Sequence, residues 1–247
     1  MKTILITGCS SGFGLETARH FLESDSNVVA TMRTPREGVL PRSDRLRELA
    51  LDVTDPSSIR QAVEAAGPLD ALVNNAGIGW LNAFEGTPMD IAREVFETNT
   101  LGTMAVTQAV LPQLRQRKAG VVVNVTSSVT LRSLPLLSVY TASKAAVNAF
   151  TESLAPELEP FGVRVRLVLP GRAPETQFGE NARSRMKAGF PEAYASLAQS
   201  ITARWQTATA ITRSSDVAEA VWRAVNDPSC PMRLPAGADA VEWASSK

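Results

Sequence analysis

The sequence predicts a doubly wound α/β domain, one parallel sheet covered by helices on both faces. Two observations carry that expectation. Short β-branched apolar runs alternate with amphipathic stretches along the chain, the pattern of parallel strands joined by right-handed helical crossovers. A glycine-rich run, Thr7-Gly8-Cys9-Ser10-Ser11-Gly12-Phe13-Gly14, falls between the first apolar run and the first amphipathic one. The 247 residues contain no repeat or low-complexity linker, so residues 1–247 are expected to form a single domain.

Taken in order, Thr3–Thr7 (TILIT) is an unbroken apolar run of the kind a strand buried on both faces requires, and Gly12–Glu23 follows as the first helix. Asn27–Met32 and Glu48–Leu51 are the second and third strands, Ser57–Ala66 a helix, and Ala71–Asn74 the fourth strand. Met89–Gln116 is assigned to helix with a break near Asn99. Val121–Thr126 is the fifth strand, Ser138–Glu159 a long helix, Val163–Leu169 the sixth strand, Ser215–Asn226 a helix and Met232–Leu234 a short last strand. Phe190, Tyr194, Leu197 and Ile201 recur at helical spacing inside 172–212, either as a lid that closes over a substrate or as a helix covering core.

Composition removes several classes of function. Lys plus Arg and Asp plus Glu both number 25, so there is no net basic field to hold nucleic acid or an anionic membrane. No apolar run reaches membrane-spanning length and no charged leader precedes the first strand, so a cytoplasmic location is expected. Cys9 and Cys230 are the only cysteines and His20 the only histidine. That supply is too small for a disulfide framework or a zinc centre, so no metal is expected. His20, in the first helix, is expected to face solvent, which leaves no imidazole for a catalytic relay.

The turn after the first strand has glycines at 8, 12 and 14. Small residues there let the backbone approach a pyrophosphate, while free N–H groups and the next helix's positive end favour its charge. The same pattern also serves as a plain tight connection. Further on, Tyr140 and Lys144 are four residues apart and share a helix face. A phenol has a pKa of about 10, and bringing it to neutrality takes roughly 4 kcal/mol of phenolate stabilisation, to which a nearby ammonium contributes. Alone, the pair also reads as a lysine lying over an aromatic ring.

Five motifs in order decide between these readings: the Thr7–Gly14 turn; Asp52-Val53; Asn74-Asn75-Ala76-Gly77; Ser127 with Tyr140 and Lys144; and Pro170-Gly171. Over essentially its whole length the chain resembles single-domain members of the short-chain dehydrogenase/reductase family. The resemblance implies a Rossmann-like fold and a catalytic group of Asn99, Ser127, Tyr140 and Lys144. Tyr140 would be the acid/base and Ser127, thirteen residues earlier, the orienter of the substrate oxygen, with Ser128 as the fallback. Lys144 would activate the phenol and bind ribose. Asn99 would hold a relay water, or satisfy a helix break, or both.

The resemblance also assigns a nucleotide site. Gly8, Ser10, Ser11, Gly12, Phe13 and Gly14 would cradle the pyrophosphate, Asp52 and Val53 the adenine, and Asn75, Ala76 and Gly77 the adenosine half. Pro170, Gly171 and Thr176 would meet the nicotinamide, although Thr176 is six residues past the proline where the family usually has five. The second strand ends Thr31-Met32-Arg33, with no acid for a ribose hydroxyl and an arginine that can fork onto a 2′-phosphate, so NADP(H) is the expected cofactor.

Trp80, Leu81, Phe84, Leu131, Leu134, Leu136 and Leu137 are either walls of an apolar substrate cleft or core and interface. The expected activity is hydride transfer between NADP(H) and a carbonyl or secondary alcohol, in a homodimer or homotetramer. A non-catalytic NADP(H) sensor and an epimerase or dehydratase that recycles its cofactor are the alternatives.

Overall fold

The computed structural model describes residues 1–36, 38–186 and 189–246. Seven parallel strands form one sheet in the order β3-β2-β1-β4-β5-β6-β7. They are β1 (Thr3–Thr7), β2 (Asn27–Met32), β3 (Leu46–Ala50), β4 (Ala71–Asn74), β5 (Gly120–Val125), β6 (Val163–Pro170) and β7 (Arg233–Ala236). The direction of winding reverses between β1 and β4, so their carboxyl ends, at Thr7 and Asn74, open a crevice where ligands bind in such sheets. The first six strands lie where the sequence puts them, within two residues. β7 runs two residues further than the expected Met232–Leu234 because Pro235 and Ala236 still pair with Leu169 and Pro170.

Side-chain alternation divides the core between the two faces. Ile4 and Ile6 join Phe21 of α1 (Gly12–Glu23) and Val217 and Val221 of α8 (Ser214–Asn226) on one side. Leu5, Val29 and Leu72 turn to the other, against Ile59 of α2 (Pro56–Ala66), Val106 and Val110 of α4 (Gly102–Arg117) and Leu154 of α5 (Ser138–Leu158). Ile4, Leu5 and Ile6 are fully buried, and each such side chain contributes about 1.5–3 kcal/mol. The helix α2 starts where its chemistry dictates: Pro56 occupies a first-turn position that needs no N–H, and the Asp55 carboxylate accepts from Ser57 N–H at 2.8 Å.

The long helix expected over Met89–Gln116 is α3 (Met89–Phe96) and α4 joined by a π-helical turn at Glu97–Leu101. The break expected near Asn99 is therefore one extra residue within a continuous rod. Two further helices were not legible in the sequence, α6 (Phe178–Arg185) and α9 (Ala238–Ser245), whereas α7 (Ala195–Thr207) carries the foreseen Leu197 and Ile201. Of the expected lid segment 172–212, residues 187 and 188 lie outside the described residues. His20 corrects an expectation: it is only partly exposed, edge-on to Phe21 and Trp222 and 3.5 Å from Glu219, because α8 packs across α1. No described helix is long and apolar enough to cross a membrane, and no group of three metal-ligating side chains occurs among the described residues.

Candidate active site

A cleft of about 1540 Å³ opens along the carboxyl ends of β1, β4, β5 and β6. That exceeds the roughly 300–1,000 Å³ of a drug-sized ligand site and suits a dinucleotide with a small molecule beside it. Gly8, Ser10, Ser11, Gly12, Phe13, Arg33, Asp52, Val53, Asn75, Ala76, Gly77, Ser127, Tyr140, Lys144, Pro170, Gly171 and Thr176 all line it. Gly14 and Asn99 stand immediately behind the wall: a Cβ on Gly14 would lie 2.3 Å from the Gly8 carbonyl oxygen, and Asn99 is fully buried.

The glycine turn and the Asn75 turn are locked together. Thr7 Oγ1 accepts from the N–H groups of Asn75 and Ala76 at 2.9 and 3.0 Å, and Asn75 Nδ2 donates back to the Thr7 and Gly8 carbonyls at 2.9 and 3.2 Å. Gly8 has φ +76°, and a Cβ there would lie 2.9 Å from Ala76 Cα. Only glycine satisfies both demands. Cys9 is inert in this turn, its thiol pushed up to about 12 by burial.

The β2 end carries exposed Arg33 beside the Asp52 carboxyl. Asp52 sits below its ordinary value, mainly because Thr54 Oγ1 and N–H donate to it at 2.7 and 2.9 Å, with Arg33 adding to the effect. On α5, Tyr140 and Lys144 are both buried. Lys144 Nζ donates to the Val125 carbonyl at 3.1 Å, and burial lowers its pKa to about 8. Burial pushes the Tyr140 phenol up to about 12, with the Ser127 hydroxyl pulling the other way. Of the two serines, Ser127 is thus the one beside the phenol. Ser127 Oγ accepts from Val129 N–H at 3.3 Å, which leaves its own proton to donate. In the protein alone, desolvation outweighs the Ser127 hydrogen bond at the phenol.

Asn99 is committed structurally. Its Oδ1 accepts from Ile78 N–H at 2.8 Å, and its Nδ2 donates to Ile78 O at 2.9 Å and to Ser143 Oγ at 3.1 Å. Its side chain therefore ties the π-helical turn to the strand-four loop and to α5, the helix-break role. A Cβ on Gly77 would meet Asn99 Oδ1 at 3.1 Å and Lys144 Nζ at 3.3 Å, so Gly77 separates the two groups. Thr176, despite its offset, lies in ordinary contact distance of Gly12, 3.6 Å from a Cβ built there, and its hydroxyl donates to Ala173 O at 2.9 Å.

Among the apolar residues expected around the cleft, Trp80, Leu81, Leu134 and Leu137 line it. Leu136 instead packs with Ala83, Ala198 and Ile201, and Phe84 is 64% exposed and does not line the cleft. Sequence reasoning missed Phe178, whose ring lies 5.7 Å from that of Tyr140, as well as Trp243 of α9. Phe178 opens a polar helix with no apolar period, so nothing in the sequence marked it.

The short chain dehydrogenase family model matches residues 2–187. An uncharacterized oxidoreductase, YusZ, of Bacillus subtilis is 42% identical over 181 residues, which are 69% of this chain and 64% of that protein, just under two thirds of its length. A 3-ketodihydrosphingosine reductase of Bacteroides thetaiotaomicron is 38% identical over 198 residues, 78% of this chain and 72% of that protein. The crystal structure of a short-chain dehydrogenase from Streptomyces avermitilis superposes with a TM-score of 0.84 at 34% identity, covering 99% of this chain and 90% of the other. The parallel sheet, the glycine turn at its switch point and these matches lead to one conclusion: the chain belongs to the short-chain dehydrogenase/reductase family.

Proposed function

We propose that the chain reduces a largely apolar ketone, or oxidises the matching secondary alcohol, with NADP(H). The observation that carries this reading is the convergence of a buried phenol, a buried ammonium and a serine hydroxyl on the cleft that the glycine turn opens. The cleft fits a dinucleotide: Gly8, Gly12 and Gly171 keep side chains out of its floor, and Arg33 supplies a forked donor where the β2 end lacks an acid. When bound, the nicotinamide supplies or takes up the hydride.

The chain's own groups handle the proton. Ser127 donates to the substrate oxygen, and Tyr140, protonated throughout the neutral range by its burial, gives its proton to that oxygen as negative charge develops. The resulting phenolate is stabilised by the Lys144 ammonium, while Asn99, tied to Ile78 and Ser143, holds the π-helical turn behind it. A phenol that rests protonated can serve as the acid of a reduction; the relatives include one named as a reductase and others named as dehydrogenases. Trp80, Leu81, Leu134, Leu137, Phe178 and Ile201 give the substrate its apolar surroundings. Self-association through α4 and α5 belongs to the same reading, with Leu101 half exposed at the start of α4.

The test is a panel of ketones with NADPH, followed by loss of the reduced nicotinamide absorbance, for the native chain and Tyr140→Phe. Turnover that falls at least about a hundredfold in the variant, with NADPH affinity held, supports the acid role. Near-native turnover removes it.

A further inference from the structure

The C-terminal helix carries a buried carboxyl group that the hydride chemistry does not use. Asp239 is 4% exposed and has no cationic partner among the described residues. Its Oδ2 accepts from Arg172 N–H at 2.6 Å and its Oδ1 from Ala240 N–H at 3.0 Å and from Thr212 Oγ1 at 2.7 Å, whose one proton is shared with Ala236 O at 2.9 Å. Thr212, fully buried, in turn accepts from Gly171 N–H at 2.8 Å, while Arg172 O accepts from Thr212 N–H at 2.9 Å. A buried carboxyl is tolerated when main-chain and hydroxyl donors satisfy it, and these bonds are of the charge-assisted kind. The two close approaches need glycine, since a Cβ on Gly171 would lie 2.1 Å from Asp239 Oδ1 and one on Gly237 2.0 Å from Thr212 Oγ1.

Arg172 follows the end of β6 and Thr212 precedes the start of α8, with α6 and α7 between them. One side chain therefore holds both ends of that segment together with the Pro170-Gly171 turn. The helix that carries it also reaches the cleft: Glu242 and Trp243 line the wall, and Trp243 lies under the Arg132 guanidinium, 5.8 Å away, in the loop that follows Ser127.

We infer that Asp239 is a positioning residue that clamps both ends of the 172–212 segment and thereby sets the nicotinamide-side turn. This rests on the reading of the cleft as a nucleotide site and of the segment as its cover. The clamp makes the two ends loosen together and without the rest of the sheet, an outcome that a general packing role would not produce.

Amide hydrogen exchange and fluorescence titration with NADPH and with NADH test it on the native chain, Asp239→Ala, Asp239→Asn, Thr212→Val and Thr212→Ser. Asp239→Ala and Thr212→Val should speed exchange at 171–176 and 208–213 together by about tenfold or more, one lost charge-assisted bond, with β1 and β4 unchanged. Both should weaken nucleotide binding severalfold. Thr212→Ser keeps the hydroxyl and should stay close to native, whereas Asp239→Asn keeps an acceptor for Arg172 but loses the charge and should loosen both ends by less than Asp239→Ala. If Asp239→Ala fails to fold, Asp239→Asn decides, since Thr212→Val also removes the acceptor of Gly171 N–H: native exchange at both ends overturns the clamp. Loosening at one end only, or uniformly with β1 and β4, overturns the clamp. A native chain that binds neither nucleotide overturns the cofactor reading instead, and the exchange data still judge the clamp.

Discussion

Replacing Gly14 by alanine tests how closely the first helix must approach the turn before it. The new Cβ would lie 2.3 Å from the Gly8 carbonyl oxygen, 2.8 Å from its carbon and 2.5 Å from Asn75 Nδ2, about 1 Å inside ordinary contact. Neither neighbour can yield. Gly8 is held at φ +76° against Ala76, and Asn75 Nδ2 is bonded to two carbonyls of the turn. The helix must move, and it carries Ala18 and Phe21 of the core with it. Overpacking of this kind costs typically 1–3 kcal/mol, and rigid neighbours put Gly14→Ala near the top, about 3 kcal/mol. Gly12→Ala is the control. Its Cβ would find only Thr176 at 3.6 Å, an ordinary contact, so what remains is the φ of +56°, a penalty of about 1–2 kcal/mol. Thermal unfolding without nucleotide should show Gly14→Ala lowered by about 6–12 °C, at 2–4 °C per kcal/mol for a chain of this size, and Gly12→Ala by roughly a third to two thirds of that. NADPH titration should give Gly14→Ala at least about a hundredfold weaker, as the turn's N–H groups are displaced. Equal effects of the two substitutions would refute the argument from close approach.

Other outcomes follow from charge. Burial depresses Lys144 from 10.5 to about 8, so the unfolded chain binds the extra proton between those values and stability rises with pH across that window. Below pH 8 the full deficit is present, at most about 3 kcal/mol, so nucleotide-free Lys144→Met should be more stable than native at pH 7 and lose that advantage by about pH 10.5; denaturant midpoints at the two pH values check this, and a variant less stable at pH 7 contradicts it. Arg33→Ala should weaken NADPH about tenfold, the low end for an exposed charge-assisted contact, and leave NADH almost unchanged. Adding Met32→Asp should reverse the preference in the same titration, and equal weakening of both cofactors by Arg33→Ala would make the arginine merely structural. Exchange protection over Phe190–Ile201 should rise in the ternary complex relative to the free chain if that segment is a cover; equal protection would make it static core.

The strands were legible because a parallel sheet buries both faces of each strand, leaving runs such as TILIT and VVVNV that no surface element would contain. Tyr140, Lys144, Ser127 and the glycine turn were legible as motifs because they are local in sequence. What escaped is long-range or lacks a period. The helix α6 buries only Ala182, so it shows no apolar stripe. Asp239 finds its partners 27 and 67 residues away, and a lone acid near the end of a chain has no signature. The π-helical turn looked like a break because sequence cannot separate an interrupted helix from one carrying an extra residue. Phe84 stayed open between cleft wall and interface because an aromatic near a cleft loop has equal claim, by pattern, to either side of it.

The last strand has a consequence for how copies of the chain can meet. The carbonyls of Met232 and Ala236 accept from Leu167 and Gly171, so the backbone groups of Arg233 and Pro235 point to the open edge. Pro235 has no N–H to offer there, and the Arg233 side chain is held by Glu152 of α5. A foreign strand arriving at β7 would find a four-residue rim with one of its two outward donors missing and a charged side chain beside it. The β7 rim thus resists sheet extension from one molecule to the next, a guard against strand-to-strand aggregation at that edge of the sheet.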